Sequence, residues 1–142
     1  MSSNTHEIAG QPDDEPRRET GRLEQQARQR VNQDHLRDLI NALGDPSHPL
    51  HSQSVNELVD LGPASVPALS AALAPNYPWL TSYRAAEALA QIGDGRASGA
   101  LINALRHPNS NVRWSVVRAL SEIGDTRTLL ALRRVVNEDH GK

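Results

Sequence analysis

From about residue 34 onward, apolar and polar positions alternate with the spacing of a helix rather than a strand. Val112, Val116, Ala119, Leu120 and Ile123 fall on one stripe of a helical wheel. The stripe stops at Gly124, where a left-handed helix-ending conformation suits glycine. Asp125 follows and can cap the next helix. The same pattern stands in Tyr83-Arg84-Ala85-Ala86-Glu87-Ala88-Leu89-Ala90-Gln91-Ile92-Gly93-Asp94, and a worn copy ends Glu57-Leu58-Val59-Asp60-Leu61-Gly62. A second series runs between these. Leu39-Ile40-Asn41-Ala42-Leu43 returns as Leu69-Ser70-Ala71-Ala72-Leu73 and as Leu101-Ile102-Asn103-Ala104-Leu105. Each copy ends at a proline turn, Asp45-Pro46, Ala74-Pro75 or His107-Pro108, because proline cannot continue the helical hydrogen-bond ladder.

Gly62, Gly93 and Gly124 are separated by 31 residues (93 − 62 and 124 − 93). The unit is therefore helix, proline turn, helix, glycine turn. First helices are predicted near 34–44, 64–74, 96–106 and 126–137, and second helices near 50–61, 79–92 and 111–123. No window has the alternation or β-branched enrichment of a strand. Each helix pair has an apolar face too large to leave wet and too small to close on itself, so neighbouring pairs must stack. The expected fold is all-α: a short right-handed α-solenoid of about three and a half helix-pair repeats with an extra N-terminal helix.

The residues Val112-Arg113, Val116-Val117, Ala119-Leu120 and Ile123-Gly124-Asp125, with Ala85-Ala86, Ala88-Leu89 and Ile92-Gly93-Asp94 one period earlier, resemble the HEAT repeat family, in the short form of phycobilisome-lyase-like proteins. The resemblance covers roughly residues 34–137. It implies a scaffold or adaptor more than an enzyme, and it implies that the helix opening with Val112-Arg113 lines the concave surface. The first repeat departs from the pattern, with Leu50-His51 in place of Val112-Arg113 and Pro63 after Gly62.

The N-terminal part reads differently. Residues 1–19, with Pro12, Pro16 and Asp13-Asp14-Glu15, contain almost nothing that could enter a core and are expected to form a disordered acidic tail. Residues 20–33 suit a peripheral helix held only by the line Leu23, Ala27, Val31, with a break near Asn32-Gln33-Asp34. The solenoid occupies 34–142.

Composition narrows the function. The chain has 142 residues, no cysteine and a net charge of −2, so neither thiol chemistry nor a global pull toward nucleic acid is available. Charge is unevenly spread: residues 1–83 hold 6 Arg against 11 Asp or Glu, a net of −5, and residues 84–142 hold 9 Arg or Lys against 6 Asp or Glu, a net of +3. No apolar run reaches the roughly 18 residues of a membrane span, and Met1–Gly10 lacks the layout of a signal peptide. A cytoplasmic protein without a membrane partner is expected.

No catalytic constellation stands out. His48 and His51 could share a helical face near Asp45, but three scattered donors rarely make a metal site. A HEAT-like group of metal-dependent hydroxylases places His-Glu pairs at repeat helices; the one pair here, His6-Glu7, lies in the tail. No metal or cofactor is implied. Asp94 and Asp125 read as helix caps, and Arg113 as a rung bridging to the neighbouring repeat. The aromatics are more informative, since Tyr77, Trp79, Tyr83 and Trp114 all lie within 77–114. With the apolar stripe turned inward, Trp114, Arg118 and Glu122 point outward, and one period back so do Tyr83, Glu87 and Gln91. That sets Trp114 beside Tyr83 and Arg118 beside Glu87. Trp, Tyr and Arg are the types enriched at binding hot spots.

The expected function is a non-catalytic protein–protein scaffold using Tyr83, Glu87, Gln91, Trp114, Arg118 and Glu122. One alternative is an accessory part of a pigment-lyase-like or other enzyme. Another is nucleic-acid binding through Arg106, Arg113, Arg118, Arg127, Arg133 and Arg134, which helical geometry disfavours by scattering them. The last helix carries Leu129, Leu130, Leu132, Val135 and Val136, more apolar arc than one docking face covers. Those residues are expected to support self-association, giving a homo-oligomer through the C-terminal helix, or to mark a chain that continues past residue 142.

Overall fold

The computed structural model describes the backbone of residues 2–124 and 126–140, and the side chains of residues 19–30, 32–124, 128–134 and 137. Seven α-helices follow one another: α1 Ser2–Leu43, α2 Ser54–Leu61, α3 Val66–Ala71, α4 Trp79–Ile92, α5 Ser98–Ala104, α6 Ser110–Ile123 and α7 Thr126–His140. No strand occurs among the described residues, as the apolar periodicity requires. The chain divides into two compact units, residues 1–35 and 36–142.

The first unit is the N-terminal part of α1, which continues to Leu43 without the break expected at Asn32-Gln33-Asp34. Those residues can cap a helix, but they contain neither Pro nor Gly, so nothing compels the helix to stop. The tail expected over residues 1–19 falls, through residue 18, on side chains outside the described residues.

The second unit is the repeat array. α3 pairs with α4 and α5 with α6, the end of α1 joins the same core as α2 through Leu39, Leu43 and Leu58, and α7 follows. The core runs through all of them: Leu39 and Leu43 of α1, Leu58 of α2, Leu69 of α3, Ala85 and Leu89 of α4, Leu101 of α5, and Val112, Val116 and Leu120 of α6 have no exposed surface. The α4–α6 contact is the broadest between any two elements. Both helices carry buried small residues, Ala85, Ala86 and Ala88 on α4 and Ser115 and Ala119 on α6, and Ser115 Oγ reaches Tyr83 O across the contact. α3 and α5 are short because each begins with a 3-10 turn, over Gly62–Ser65 and Gly95–Ala97.

The glycine turns set the period. Gly93 and Gly124 adopt left-handed conformations, φ 70 and φ 67, and their N–H groups close the helices on Leu89 O and Leu120 O. Gly62 departs, with φ 63 and ψ −134. Pro63 disfavours helical ψ in the residue before it, and only glycine tolerates the region that remains. Asp94 caps as expected, accepting from Arg96 N at 2.9 Å, whereas Asp125 lies outside the described residues.

Buried serines tie neighbouring elements together. Ser82 Oγ donates to Ala72 O at 2.8 Å within the α3–α4 pair, Ser65 Oγ to Leu58 O at 2.8 Å, and Ser115 Oγ to Tyr83 O at 3.0 Å from one repeat to the next. The bonds to Ala72 and Leu58 satisfy carbonyls near helix ends.

Gly44 closes the first proline turn against α4. A methyl group there would overlap Thr81 Oγ1 and press on its Cβ at 3.1 Å and N at 3.2 Å, and Thr81 is itself buried. Gly44→Ala is therefore expected to cost about 1–3 kcal/mol. Gly99→Ala, at a helical position with nothing within 4 Å, should be neutral or gain up to about 1 kcal/mol. Urea unfolding of the two variants beside the parent chain checks the contrast.

Candidate functional site

The 31-residue period carries through the second helices, so their outward positions form ranks: Ser52, Asn56 and Asp60 on the first repeat, Tyr83, Glu87 and Gln91 on α4, Trp114, Arg118 and Glu122 on α6. Two hollows lie along them. The smaller, about 100 Å³, is lined by Glu87, Ala90, Gln91, Ser115, Arg118 and Glu122. The larger, about 300 Å³, is lined by residues of the first repeat, among them His51, Ser52 and Asn56, together with Arg84, Glu87 and Gln91. Glu87 and Gln91 line both, so the two polar hollows adjoin at α4, one toward α2 and one toward α6.

Four of the six residues expected on this face therefore line a single hollow. Tyr83 and Trp114 do not line it. Tyr83 is half-buried and meets the edge of Trp79, ring centroids 6.1 Å apart and planes at 75°. Trp114 is exposed, with the Arg118 guanidinium 5.8 Å from its ring centroid. Glu87 takes Arg84 as its ion partner at 3.5 Å. These ring, cation and ion-pair contacts of Tyr83, Trp114 and Glu87 are thus each within one helix, while Glu87 and Arg118 line the same hollow. Positions three or four apart on a helix lie about 5–6 Å apart, against an interhelix spacing of about 8–10 Å. Of the remaining aromatics, Tyr77 packs against the core and Trp79 stays exposed.

Ser52, Asn56, Arg84 and Ser115 join the groove without having been expected there. The signal was present for the first two, since subtracting the repeat period from Tyr83 and Glu87 leads to them. Ser115 had no such signal, because its side chain looks like any helix serine until α4 is placed beside it.

The candidate metal pair resolves into turn chemistry. His48 Nδ1 accepts from Leu50 N at 3.1 Å, and His51 Nδ1 lies 2.7 Å from Ala42 O, to which it donates. Among the described residues no three His, Asp or Glu side chains converge as a metal site. His107 repeats the His48 arrangement, with Nδ1 accepting from Asn109 N at 3.0 Å. Arg113 does not bridge repeats; its Nη1 caps the turn below it, donating to His107 O at 2.7 Å and Pro108 O at 3.0 Å. The C-terminal arginines are divided among such tasks. Arg113 holds a turn, Arg118 covers Trp114, Arg106, Arg133 and Arg134 are exposed on two other elements, and Arg127 lies outside the described residues.

At the last helix, Leu129 and Leu130 are exposed and Leu132 is half-buried against the core. Val135 and Val136 lie outside the described residues. No helix among the described residues is long and apolar enough to cross a membrane.

A protein-family model described as HEAT repeats matches residues 66–142, more than half of the chain. The chain belongs to the HEAT repeat family. The match spans α3 to α7 and leaves out the first pair of the HEAT array, the one in which Pro63 and Leu50-His51 break the pattern. No curated protein matches the chain. HEAT repeats commonly mediate protein interactions and are typically non-catalytic.

His107 gives this region a pH dependence. It is buried, and its Nε2 has no hydrogen-bond partner among the described residues. Burial, and then the neighbouring Arg113 charge, pushes its pKa below the ordinary 6.5. The folded His107 therefore stays neutral at pH values where the unfolded chain is already protonated. Its contribution is complete above about pH 6.5 and is lost as pH falls from there through the folded pKa. His107→Asn, which can keep an acceptor for Asn109 N, should reduce the drop in urea midpoint between pH 7.5 and pH 5. An unchanged drop would remove His107 as its source.

Proposed function

We propose that this protein is a non-catalytic HEAT scaffold that holds a segment of another protein along the face made by α2, α4 and α6. The observation that supports this reading is that two polar hollows adjoin at Glu87 and Gln91, with carboxylate, amide and guanidinium groups in their lining, and that Arg118 of one hollow lies over the exposed Trp114. Such a floor offers both donors and acceptors, and Glu87 and Glu122 balance Arg84 and Arg118. It suits a mixed polar peptide surface better than a polyanion. Trp114 adds a large, stiff apolar surface, and Arg118 lies over its ring. The described C-terminal arginines lie on separate elements, with Arg113 holding a turn and Arg118 over Trp114, which weighs against nucleic acid, and no residue of the groove favours a role in pigment attachment.

The test begins with a partner captured by crosslinking in the native cell and then purified. Trp114→Ala should weaken its binding by more than about 1 kcal/mol, and Glu87→Ala with Arg118→Ala should weaken it further, with helix content and melting temperature retained. Lower melting temperature with unchanged affinity would make Trp114 a packing residue and end the groove reading.

A further inference from the structure

A third hollow lies apart from the groove, between the first helices of two successive repeats. It has a volume of about 340 Å³, and its lining includes Leu73, Ala74 and Pro75 at the end of α3 and Ala104, Arg106 and His107 at the end of α5. Most of the described lining residues are apolar, and they include one cation, Arg106, and no carboxylate. Small-molecule sites of roughly 300–1,000 Å³ share this make-up, apolar walls with a few polar groups.

His107 supplies the polar group that stands out. Its side chain is only 6% exposed. Burial and the Arg113 charge hold its pKa below the ordinary 6.5, so the ring is neutral at pH 7.5. Nδ1 accepts from Asn109 N at 3.0 Å, which leaves the ring hydrogen on Nε2. Nε2 is buried and has no partner among the described residues. The wall of the hollow thus contains a donor in need of an acceptor. The carbonyls of the lining residues Ser70, Ala71, Ala74, Asn103 and Ala104 each already accept a backbone N–H.

Charge gives the acceptor a sign. Arg106 is exposed in the lining. Arg113 Nη1 donates to His107 O at 2.7 Å and to Pro108 O at 3.0 Å, which sets a second cation against the same turn. Two cations with no carboxylate in the lining favour an anionic acceptor over a neutral one.

We propose that this hollow binds a small carboxylic acid, its apolar body against Leu73 and Ala104 and its carboxylate toward His107 Nε2–H and Arg106. Nε2 itself is covered, so the incoming oxygen must displace part of the wall. The unpaired donor favours that exchange, because a buried N–H without an acceptor is costly.

Phenylacetate titrated into the isotope-labelled full chain at pH 7.5 tests the proposal by NMR. Saturable shifts are expected at the His107 imidazole and at the amides of Ala71, Ala74 and Ala104. Phenethyl alcohol lacks the charge and acetate lacks the apolar body, and each should bind about tenfold more weakly or worse. His107→Asn can keep the acceptor for Asn109 N but removes Nε2–H, and should weaken phenylacetate binding about tenfold. Ala71→Leu, at an exposed helical position of the lining, should fill the hollow and abolish binding while circular dichroism and melting temperature are retained. Three outcomes overturn the proposal. The first is no saturable binding of phenylacetate. The second is alcohol or acetate bound as tightly as phenylacetate. The third is unchanged affinity in either folded variant. None of these touches the groove reading, because this hollow shares no lining residue with the other two.

Discussion

The array rests on how closely α4 and α6 approach. Both helices carry buried small residues, Ala85, Ala86 and Ala88 on α4 and Ser115 and Ala119 on α6. Small side chains bring the two backbones near enough for Ser115 Oγ to reach Tyr83 O, a bond no larger residue at that position could make without pushing the helices apart. The closeness also shapes the outer face. It places Glu87 and Gln91 beside Arg118 and Glu122 in one hollow, and it leaves Tyr83 half-covered while Trp114, with no following second helix among the described residues, is not.

The turns maintain that approach from one repeat to the next. A left-handed glycine ends each of the two regular second helices, and the proline turns set where each second helix begins. Around them lie polar contacts: His48 and His107 each accept a backbone N–H two residues on, Arg113 caps two carbonyls, and buried Ser82 satisfies another. In a core built mostly from alanine, leucine and valine, these bonds answer the polar demands of turns that must pack against neighbouring helices. The first repeat shows how far the pattern tolerates change. Pro63 forces Gly62 into a different backbone region, yet Leu58 and Val66 on either side remain buried.

The two ends of the array differ in chemistry. On the first repeat, Gln53 and Glu57 occupy the positions of Ser115 and Ala119 on α6, and Gln53 Nε2 donates to Glu57 Oε1 at 2.9 Å. That is a polar end, as a terminal repeat in water requires. The other end carries Trp114, Val117, Leu129 and Leu130. Such a surface is stable in water only at some cost in hydration free energy, and its cationic fringe gives it a preference among occupants.

Read alone, the residues were enough for the helical class, the glycine and proline turns of the repeat, and the family. Each follows from a local rule: apolar spacing of 3.6 for helices, glycine for a left-handed turn, proline for a stop. The same reading marked Leu129 and Leu130 as more apolar surface than one face could bury. Partners were a different matter. That Arg118 lies over Trp114, that Arg113 caps its own turn, and that His107 is buried all depend on distances of a few ångströms, which no spacing rule carries. The continuation of α1 through Asn32-Gln33-Asp34 belongs with these, because a capping residue permits a helix end without enforcing one. Periodicity sets which face a side chain is on; packing distance sets what it meets there.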